Sequence, residues 1–211
     1  MRSRDSTFPF GLPLMAILSC LGVFGCGDTQ TTQSPYQTVA KDPRRDTDLA
    51  RKLTAQAIDS IDQSKWPDAE ALLKKALDAD VTFGPAHNNL GTVYMYQNNL
   101  YLAAWEFQYA AKLMPYQPEP KSNLGLALEA AGKLDDAVGW YDQAMKIEPD
   151  NPQYLGNDVR AKIRRGDKDP QVRELLIKLV SVDTRPDWVQ WAREKLVLWS
   201  PPSTTEPQAQ P

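Results

Sequence analysis

The middle of the chain repeats itself with a period of 34 residues, because residues 84–117 align without a gap with residues 118–151. The matched residues are Asn89 and Asn123, Leu90 and Leu124, Gly91 and Gly125, Ala103 and Ala137, Phe107 and Tyr141, Ala110 and Ala144, and Pro115 and Pro149. Small side chains facing large ones allow two helices to approach closely and interlock. The proline near the end of each unit stops the second helix, since it lacks the N–H that a helix needs. The repeat therefore predicts two helices in each unit.

The order of these residues resembles that of a known repeat family. Leu90, Gly91 and Tyr94 in the first helix, followed by Ala103 and Phe107 in the second, match the pattern of the tetratricopeptide repeat. The second unit departs from it only where leucine replaces the tyrosine. The resemblance implies an all-α fold, a right-handed α-solenoid of three to four helix pairs. It also implies a protein-binding module.

Further units should flank the two clear ones, because a single helix pair cannot bury its apolar face alone. Residues 50–83 form a weaker unit, in which Gln56 stands where leucine is expected. Residues 152–183 form a degenerate fourth unit that lacks the small residues of the second helix. Residues 186–199 predict a C-terminal capping helix, one face of which carries Trp188, Ala192, Leu196 and Trp199. The repeat domain is thus predicted to span residues 47–199.

The first 25 residues have the organisation of a signal peptide, with basic residues at the start followed by a charge-free apolar run. The run ends in Val23, Phe24, Gly25 and Cys26, which resembles a bacterial lipobox, although Phe24 is unusual there. If this resemblance holds, Cys26 is the first residue of the mature chain and carries a lipid anchor. An uncleaved N-terminal helix is the alternative anchor.

Two polar segments border the repeat domain. Residues 26–46 are polar, contain prolines and show no helical period, so they are predicted to be a flexible tether. Residues 200–211 are too poor in apolar residues to pack and are predicted to be a disordered tail. Together with the lipobox, they predict an exported protein that faces the periplasm of a bacterial envelope. Gly27 follows Cys26 in place of aspartate, which favours the outer over the inner membrane.

The composition argues against several classes of function. The net charge is −3, with no basic cluster of the kind that binds nucleic acid. The chain has one histidine, His87, and two cysteines, too few for the usual Cys/His metal sites. No catalytic motif is found, and His87 is predicted to be a partly exposed helix residue. The sequence therefore predicts no catalytic residue, no metal, no cofactor and no enzymatic activity.

In the family that the chain resembles, the first helices of successive units line a concave groove. Carried onto this chain, the groove positions include Asn88, Asn89, Thr92, Tyr96, Ser122, Asn123, Leu126, Glu129, Arg160 and Arg164. Such a mixed lining suits an extended peptide or an amphipathic helix of a partner protein. An ordinary solvated helix face is the alternative for each of these residues. The sequence does not identify the partner.

One binding mode of the family is not expected here. Its co-chaperone members hold a partner's terminal carboxylate with basic residues and asparagines in three consecutive units. Thr54, Ile58 and Glu119 stand at positions of that set, and only Asn89 matches it. The sequence therefore does not predict binding of a chaperone tail.

A second surface is predicted on the second helix of the second unit. Tyr101, Trp105 and Tyr109 lie four residues apart, whereas the alanines and phenylalanine between them form the packed stripe. The three rings should therefore point outward, and exposed aromatics are enriched at protein interfaces. This row, or the tryptophan-rich C-terminal helix, could instead assemble the chain into a structural homo-oligomer.

Overall fold

The computed structural model describes residues 45–198, which form nine α-helices and no strand within that range. The helices are α1 (Thr47–Asp62), α2 (Trp66–Ala79), α3 (Gly84–Tyr96), α4 (Leu100–Leu113), α5 (Glu119–Ala130), α6 (Leu134–Ile147), α7 (Pro152–Arg165), α8 (Pro170–Val182) and α9 (Pro186–Leu198). The predicted signal peptide, Cys26, most of the tether and the C-terminal tail lie outside the described residues.

Local signals in the sequence start and stop these helices. The side chains of Asp46, Asn151 and Asp169 accept hydrogen bonds from backbone N–H groups in the first turns of α1, α7 and α8. Six of the helices, α2, α3, α5, α7, α8 and α9, have a proline in the first turn, where no N–H partner is needed. Gly166 ends α7 with a φ of 95°, a conformation that glycine adopts at little cost.

The helices pack as consecutive hairpins. α1 packs on α2, α3 on α4, α5 on α6 and α7 on α8, and the helices α1, α3, α5 and α7 also contact one another in succession. The first helices of the units therefore form one layer and the second helices form another. The predicted all-α repeat solenoid is confirmed by this arrangement.

Two glycines explain why small and large residues alternate in the repeat. A Cβ atom on Gly91 would lie 2.7 Å from the ring of Phe107, and one on Gly125 would lie 2.5 Å from the ring of Tyr141. Both distances are too short for real carbon atoms. Each aromatic ring of the second helix is therefore seated directly on the backbone of the first helix, as the sequence predicts.

The capping helix α9 covers the end of the solenoid. It packs on α8, and its Ala192 is fully buried. Trp188 reaches α7, where its ring would lie 2.9 Å from a Cβ atom on Gly156. Trp191 packs edge-on against Trp188, with ring centroids 5.6 Å apart. The tryptophans close the last apolar face, which is the role expected of a cap.

The fourth unit contains an ion pair that the sequence analysis missed. Asp158 occupies the repeat position that leucine holds as Leu90 and Leu124, and Lys162 occupies the position held by Tyr94 and Leu128. The ammonium of Lys162 lies 2.6 Å from the carboxylate of Asp158, which is fully buried. The 34-residue spacing reveals this substitution, because it places a charged pair where the two clear units have Leu90 with Tyr94 and Leu124 with Leu128.

Candidate functional site

We call the face formed by the layer of first helices the groove. Polar side chains on this face are joined by hydrogen bonds into a ladder. The amide nitrogen of Asn88 on α3 donates to Glu119 on α5 at 3.2 Å. The amide nitrogen of Asn123, also on α5, donates to the amide oxygen of Asn88 at 3.0 Å. The ladder ties α3 to α5 across the groove. It brings together Asn88 and Asn123 with Glu119, to which sequence reasoning also gave a groove position.

An apolar cavity of about 320 Å³ lies beside this ladder. It is lined by Thr92, Met95, Tyr96, Phe107, Asn123 and Leu126. Four of these, Thr92, Tyr96, Asn123 and Leu126, were predicted as groove residues. Sequence reasoning also gave Met95 a groove position, but it treated Phe107 only as a packing residue. The cavity is open to solvent and large enough for an apolar side chain.

Tyr96 lines one wall of this cavity, and a second aromatic ring supports it. Its side chain is 67% exposed, yet its ring stacks on Trp66 at the start of α2, with ring centroids 4.1 Å apart and planes 17° apart. Stacking on one face fixes the ring and leaves the rest of it available for contact. The aromatic platform predicted at Tyr96 is therefore a two-ring stack, of which the half-buried Trp66 is the support.

At the charged end of the groove, two arginines pair with one buried carboxylate. Glu129, only 3% exposed, accepts hydrogen bonds from Arg160 at 2.7 and 3.0 Å, from Arg164 at 2.7 Å and from the hydroxyl of Tyr141 at 2.8 Å. Burial acts to raise the pKa of Glu129, but the hydrogen bonds from Arg160, Tyr141 and Arg164 outweigh it and hold the pKa below its ordinary value. The basic groups predicted here therefore serve first to pair a buried carboxylate.

Three predicted groove residues have structural roles that limit their access to a ligand. Ser122 is fully buried, and its hydroxyl accepts a hydrogen bond from Asn157 at 3.4 Å. Glu129 lies beneath its arginines. The amide nitrogen of Asn89 donates to the carbonyl oxygen of Pro85, one turn back in the same helix, at 2.8 Å. The prediction that Ser122 and Glu129 face the groove openly is wrong, because α5 and α7 approach so closely that these side chains fill the space between them.

The predicted aromatic row on α4 is only partly exposed. Tyr101 and Trp105 are 78% and 58% exposed, as expected. Tyr109 is half-buried, with its ring centroid 4.7 Å from that of His87. The prediction that all three rings point outward is therefore wrong for Tyr109, because α3 places an imidazole beneath it.

His87 is buried rather than partly exposed, so that prediction is also wrong. Its Nδ1 atom lies 2.6 Å from a carboxylate oxygen of Glu106 on α4, and its Nε2 atom lies 2.9 Å from the carbonyl oxygen of Val81. The loop before α3 and the helix α4 close around the ring, leaving 7% of the residue exposed. His87 thus joins α3 to its neighbours.

A cavity of about 660 Å³ adjoins the aromatic row on the outer layer. Trp105 and Tyr109 of α4 line it, together with Trp140 of α6 and Lys121 of α5. Trp140 was not predicted. The sequence could have indicated it, because Trp140 directly precedes Tyr141 and so lies just outside the face of α6 that packs in the core. Lys121 is 8% exposed and donates to the carbonyl oxygens of Pro115 and Gln117, and burial lowers its pKa.

Among residues 45–198, no group of three or more histidine, cysteine, aspartate or glutamate residues is arranged to hold a metal ion. Over the same range, no helix combines the length and the apolar character needed to cross a membrane.

Family models match two stretches of the chain, both with the description tetratricopeptide repeat. One covers residues 54–118 and the other covers residues 118–151. Together they span the first helix pairs and end where the degenerate fourth unit begins. No curated protein matches the chain in sequence.

Solved structures share the fold at low sequence identity. The first repeat domain of Spaghetti (RPAP3), bound to the HSP90 peptide SRMEEVD, is 21% identical, with a TM-score of 0.57 over 60% of this chain and 100% of that one. MamA from Desulfovibrio magneticus RS-1 is 17% identical, with a TM-score of 0.58 over 63% and 75% of the two chains. The Sgt2 repeat domain from Aspergillus fumigatus is 17% identical, with a TM-score of 0.53 over 57% and 84%.

Proposed function

Because the chain is a tetratricopeptide repeat protein, we propose that it is a non-enzymatic module that binds a peptide or helix of a partner protein in its groove. The observation that carries this proposal is the open apolar cavity of about 320 Å³ beside the Asn88–Asn123 ladder. An apolar cavity next to fixed polar groups is the usual composition of a binding site.

The two parts of the site favour different parts of a ligand. The cavity takes an apolar side chain, with Tyr96 and Leu126 on its walls. The amide of Asn123 is half-buried and is held by the buried Asn88, so it offers hydrogen bonds at the groove surface, which suits the polar groups of an extended backbone or of a helix surface. The side chain of Arg164 is 52% exposed and keeps donors beyond its bond to Glu129, so an acidic residue of the ligand fits there.

The ligand is expected to be an internal segment rather than a terminal carboxylate. The similar domain of Spaghetti was solved with a peptide from HSP90, but this chain has Thr54, Ile58 and Glu119 at positions of the carboxylate-binding set. Glu119 would repel a carboxylate, and it is already hydrogen-bonded to Asn88.

We place this module at the periplasmic side of a bacterial envelope, anchored by a lipid on Cys26, with the outer membrane favoured. The lipobox-like ending at Cys26 and the polar residues that follow it support this location. An anchored adaptor or assembly factor would bind partners in the same plane, where even a modest groove affinity suffices.

A cross-linked pull-down from the native cells tests the groove. Thr92→Arg fills the cavity entrance with a long charged side chain, and Tyr101→Ala on the outer layer is the matched control. Circular dichroism verifies that both variants keep the fold. Partners that the unmodified protein and Tyr101→Ala enrich, but Thr92→Arg loses about tenfold, would support the proposal; such a loss corresponds to about 1.4 kcal/mol. Equal enrichment by all three proteins would refute it.

A structural homo-oligomer is the second candidate function. The observation that favours it is the exposure of Tyr101 and Trp105 on the outer layer, where Trp105 also lines the cavity of about 660 Å³. Light scattering after size-exclusion chromatography tests this function. A dimer that Trp105→Ala converts to monomer supports self-association, whereas a monomer at all concentrations rejects it.

A further inference from the structure

The ion pair of the fourth unit lies in a cavity between α6, α7 and α8. The cavity has a volume of about 340 Å³ and is lined by Asp142, Met145, Asp158, Lys162, Gln171, Glu174 and Leu175. Three of these residues carry carboxylates and one carries an ammonium group. Met145 and Leu175 are half-buried and add an apolar wall on each side.

Only one of the two carboxylate oxygens of the buried Asp158 has a hydrogen-bond partner. Its Oδ2 atom lies 2.6 Å from the ammonium of Lys162, which also donates to Asp142 at 2.9 Å. Its Oδ1 atom is buried and has no hydrogen-bond partner. Buried polar atoms are almost always paired, and an unpaired one costs free energy. Asp158 therefore has capacity for one more donor. Because Oδ1 has almost no accessible surface, a ligand in this cavity must displace a lining side chain to reach it.

The repeat pattern indicates that this carboxylate is not needed for packing. The preceding unit fills the same two positions with Leu124 and Leu128, and both pack in its core. A buried ion pair usually contributes no more stability than an apolar pair of similar volume. Residues that break a local rule of the fold often belong to a functional site.

We propose that this cavity binds an alkylammonium group, such as a lysine side chain of a protein or a free amine. The ammonium donates to Oδ1 of Asp158 and to the exposed carboxylate of Glu174. The alkyl chain lies along Met145 and Leu175, as the stems of lysine side chains do on apolar surfaces. A divalent metal fits less well, since the ammonium of Lys162 already pairs with the carboxylates of Asp142 and Asp158.

The charges that face Asp158 come from all three helices. α6 contributes Asp142, α7 contributes Lys162 and Arg165, and α8 contributes Glu174. Burial raises the pKa of Asp158 to about 6, although Lys162 opposes the shift. Protonation of Asp158 removes one of the negative charges that attract a cation. Binding of an amine should therefore weaken as the pH falls from 7 to 5.

An NMR titration of the full chain with putrescine and with N-acetyl-lysine amide tests this site. N-acetyl-norleucine amide has the same stem without the charge and is the neutral control. We expect saturable shifts of the backbone amides of Glu174 and Leu175 with both amines and none with norleucine amide. Tighter binding of the lysine compound would indicate a protein side chain as the ligand, and tighter binding of putrescine would indicate a free amine; either result supports the site.

Two variants decide whether the acidic groups hold the amine. Glu174→Gln changes an exposed residue, so the fold is retained, and it should weaken binding about tenfold, the effect of one lost hydrogen bond to a charged group. Asp158→Asn should weaken binding at least as much and abolish its pH dependence. Glu148→Gln, an exposed acid outside the cavity, is the matched control. Unsaturable shifts, equal binding of norleucine amide, or unchanged affinity in Glu174→Gln would each overturn the proposal.

Discussion

Tyr96 stacks on Trp66 with ring centroids 4.1 Å apart, so the wall of the groove cavity in the second unit is supported by the first unit. The stack joins the C-terminal end of α3 to the N-terminal end of α2. The position of a groove residue therefore depends on the packing of two consecutive units, which is how a solenoid fixes a binding surface without a separate scaffold.

Removal of this support should loosen the cavity wall. Trp66→Ala removes a half-buried ring and its stacking contact, so the free energy of unfolding should fall by about 1–3 kcal/mol. Without the stacking contact, the ring of Tyr96 should become mobile. Thermal unfolding followed by circular dichroism measures the first effect, with Tyr101→Ala as an exposed aromatic control that should change the melting temperature little. A melting temperature in Trp66→Ala equal to that of the control would show that the stack adds nothing.

The ring of Phe107 lies directly on the backbone of Gly91, so even one methyl group added at Gly91 should clash with it. Gly91→Ala places a Cβ atom 2.7 Å from the ring, and overpacking of this kind typically costs about 1–3 kcal/mol. Gly139→Ala is the matched control, because a Cβ atom on this exposed helical glycine meets nothing within 4 Å. The control should be stabilised by about 0.5–1 kcal/mol, the helix propensity gained over glycine. Urea denaturation of both variants measures the difference, and a neutral Gly91→Ala would contradict this packing.

Replacement of the buried ion pair by the apolar pair of the preceding unit should stabilise the protein. The double variant Asp158→Leu/Lys162→Leu removes both charges together, and such replacements often gain about 1–4 kcal/mol. The single variant Asp158→Leu should instead destabilise, because it leaves the largely buried ammonium of Lys162 without its nearest partner. Chemical denaturation of the three proteins tests this order. A double variant less stable than the unmodified protein would mean that the pair contributes net stability.

Protonation of Asp158 should make the free energy of unfolding depend on pH. Burial raises its pKa from 3.8 in the unfolded chain to about 6, so the folded protein binds a proton more readily than the unfolded chain. The contribution of Asp158 to the free energy of unfolding should therefore increase by about 1 kcal/mol as the pH falls from 7 to 5. Below about pH 4 the carboxyls with lowered pKa values, including Glu129 and Asp183, should reverse this trend. Urea denaturation at pH 7 and pH 5 checks the sign, and Asp158→Asn should remove the gain.

The sequence predicted the repeat, its helix pairs and the capping helix because these follow from spacing alone. Gly91 and Phe107 are recognisable as a close contact even without coordinates, since the same small and large residues recur 34 positions later. Position within a repeat also gives the side of a helix that a residue faces. This is why Thr92, Tyr96 and Leu126, which were predicted on one groove face, all line one cavity.

Contacts between units could not be predicted in the same way. Whether Ser122 is open or buried depends on how closely α5 and α7 approach, and that distance is set by many residues together. The burial of His87 depends likewise on Glu106 and on a carbonyl group of a loop. A repeat pattern states which face a residue occupies, but not what the neighbouring unit places over that face.

The most direct test of the central claim is photo-cross-linking from the groove in living cells. A photoreactive p-benzoylphenylalanine is introduced at Thr92 in the cavity lining, and at Gly139 on the exposed outer side of α6 as the control position. We predict discrete cross-linked products from position 92, absent from position 139 and lost when Leu126→Asp makes the cavity polar. Products from position 92 that persist in Leu126→Asp, or that match those of position 139, would contradict the claim that the groove binds a partner.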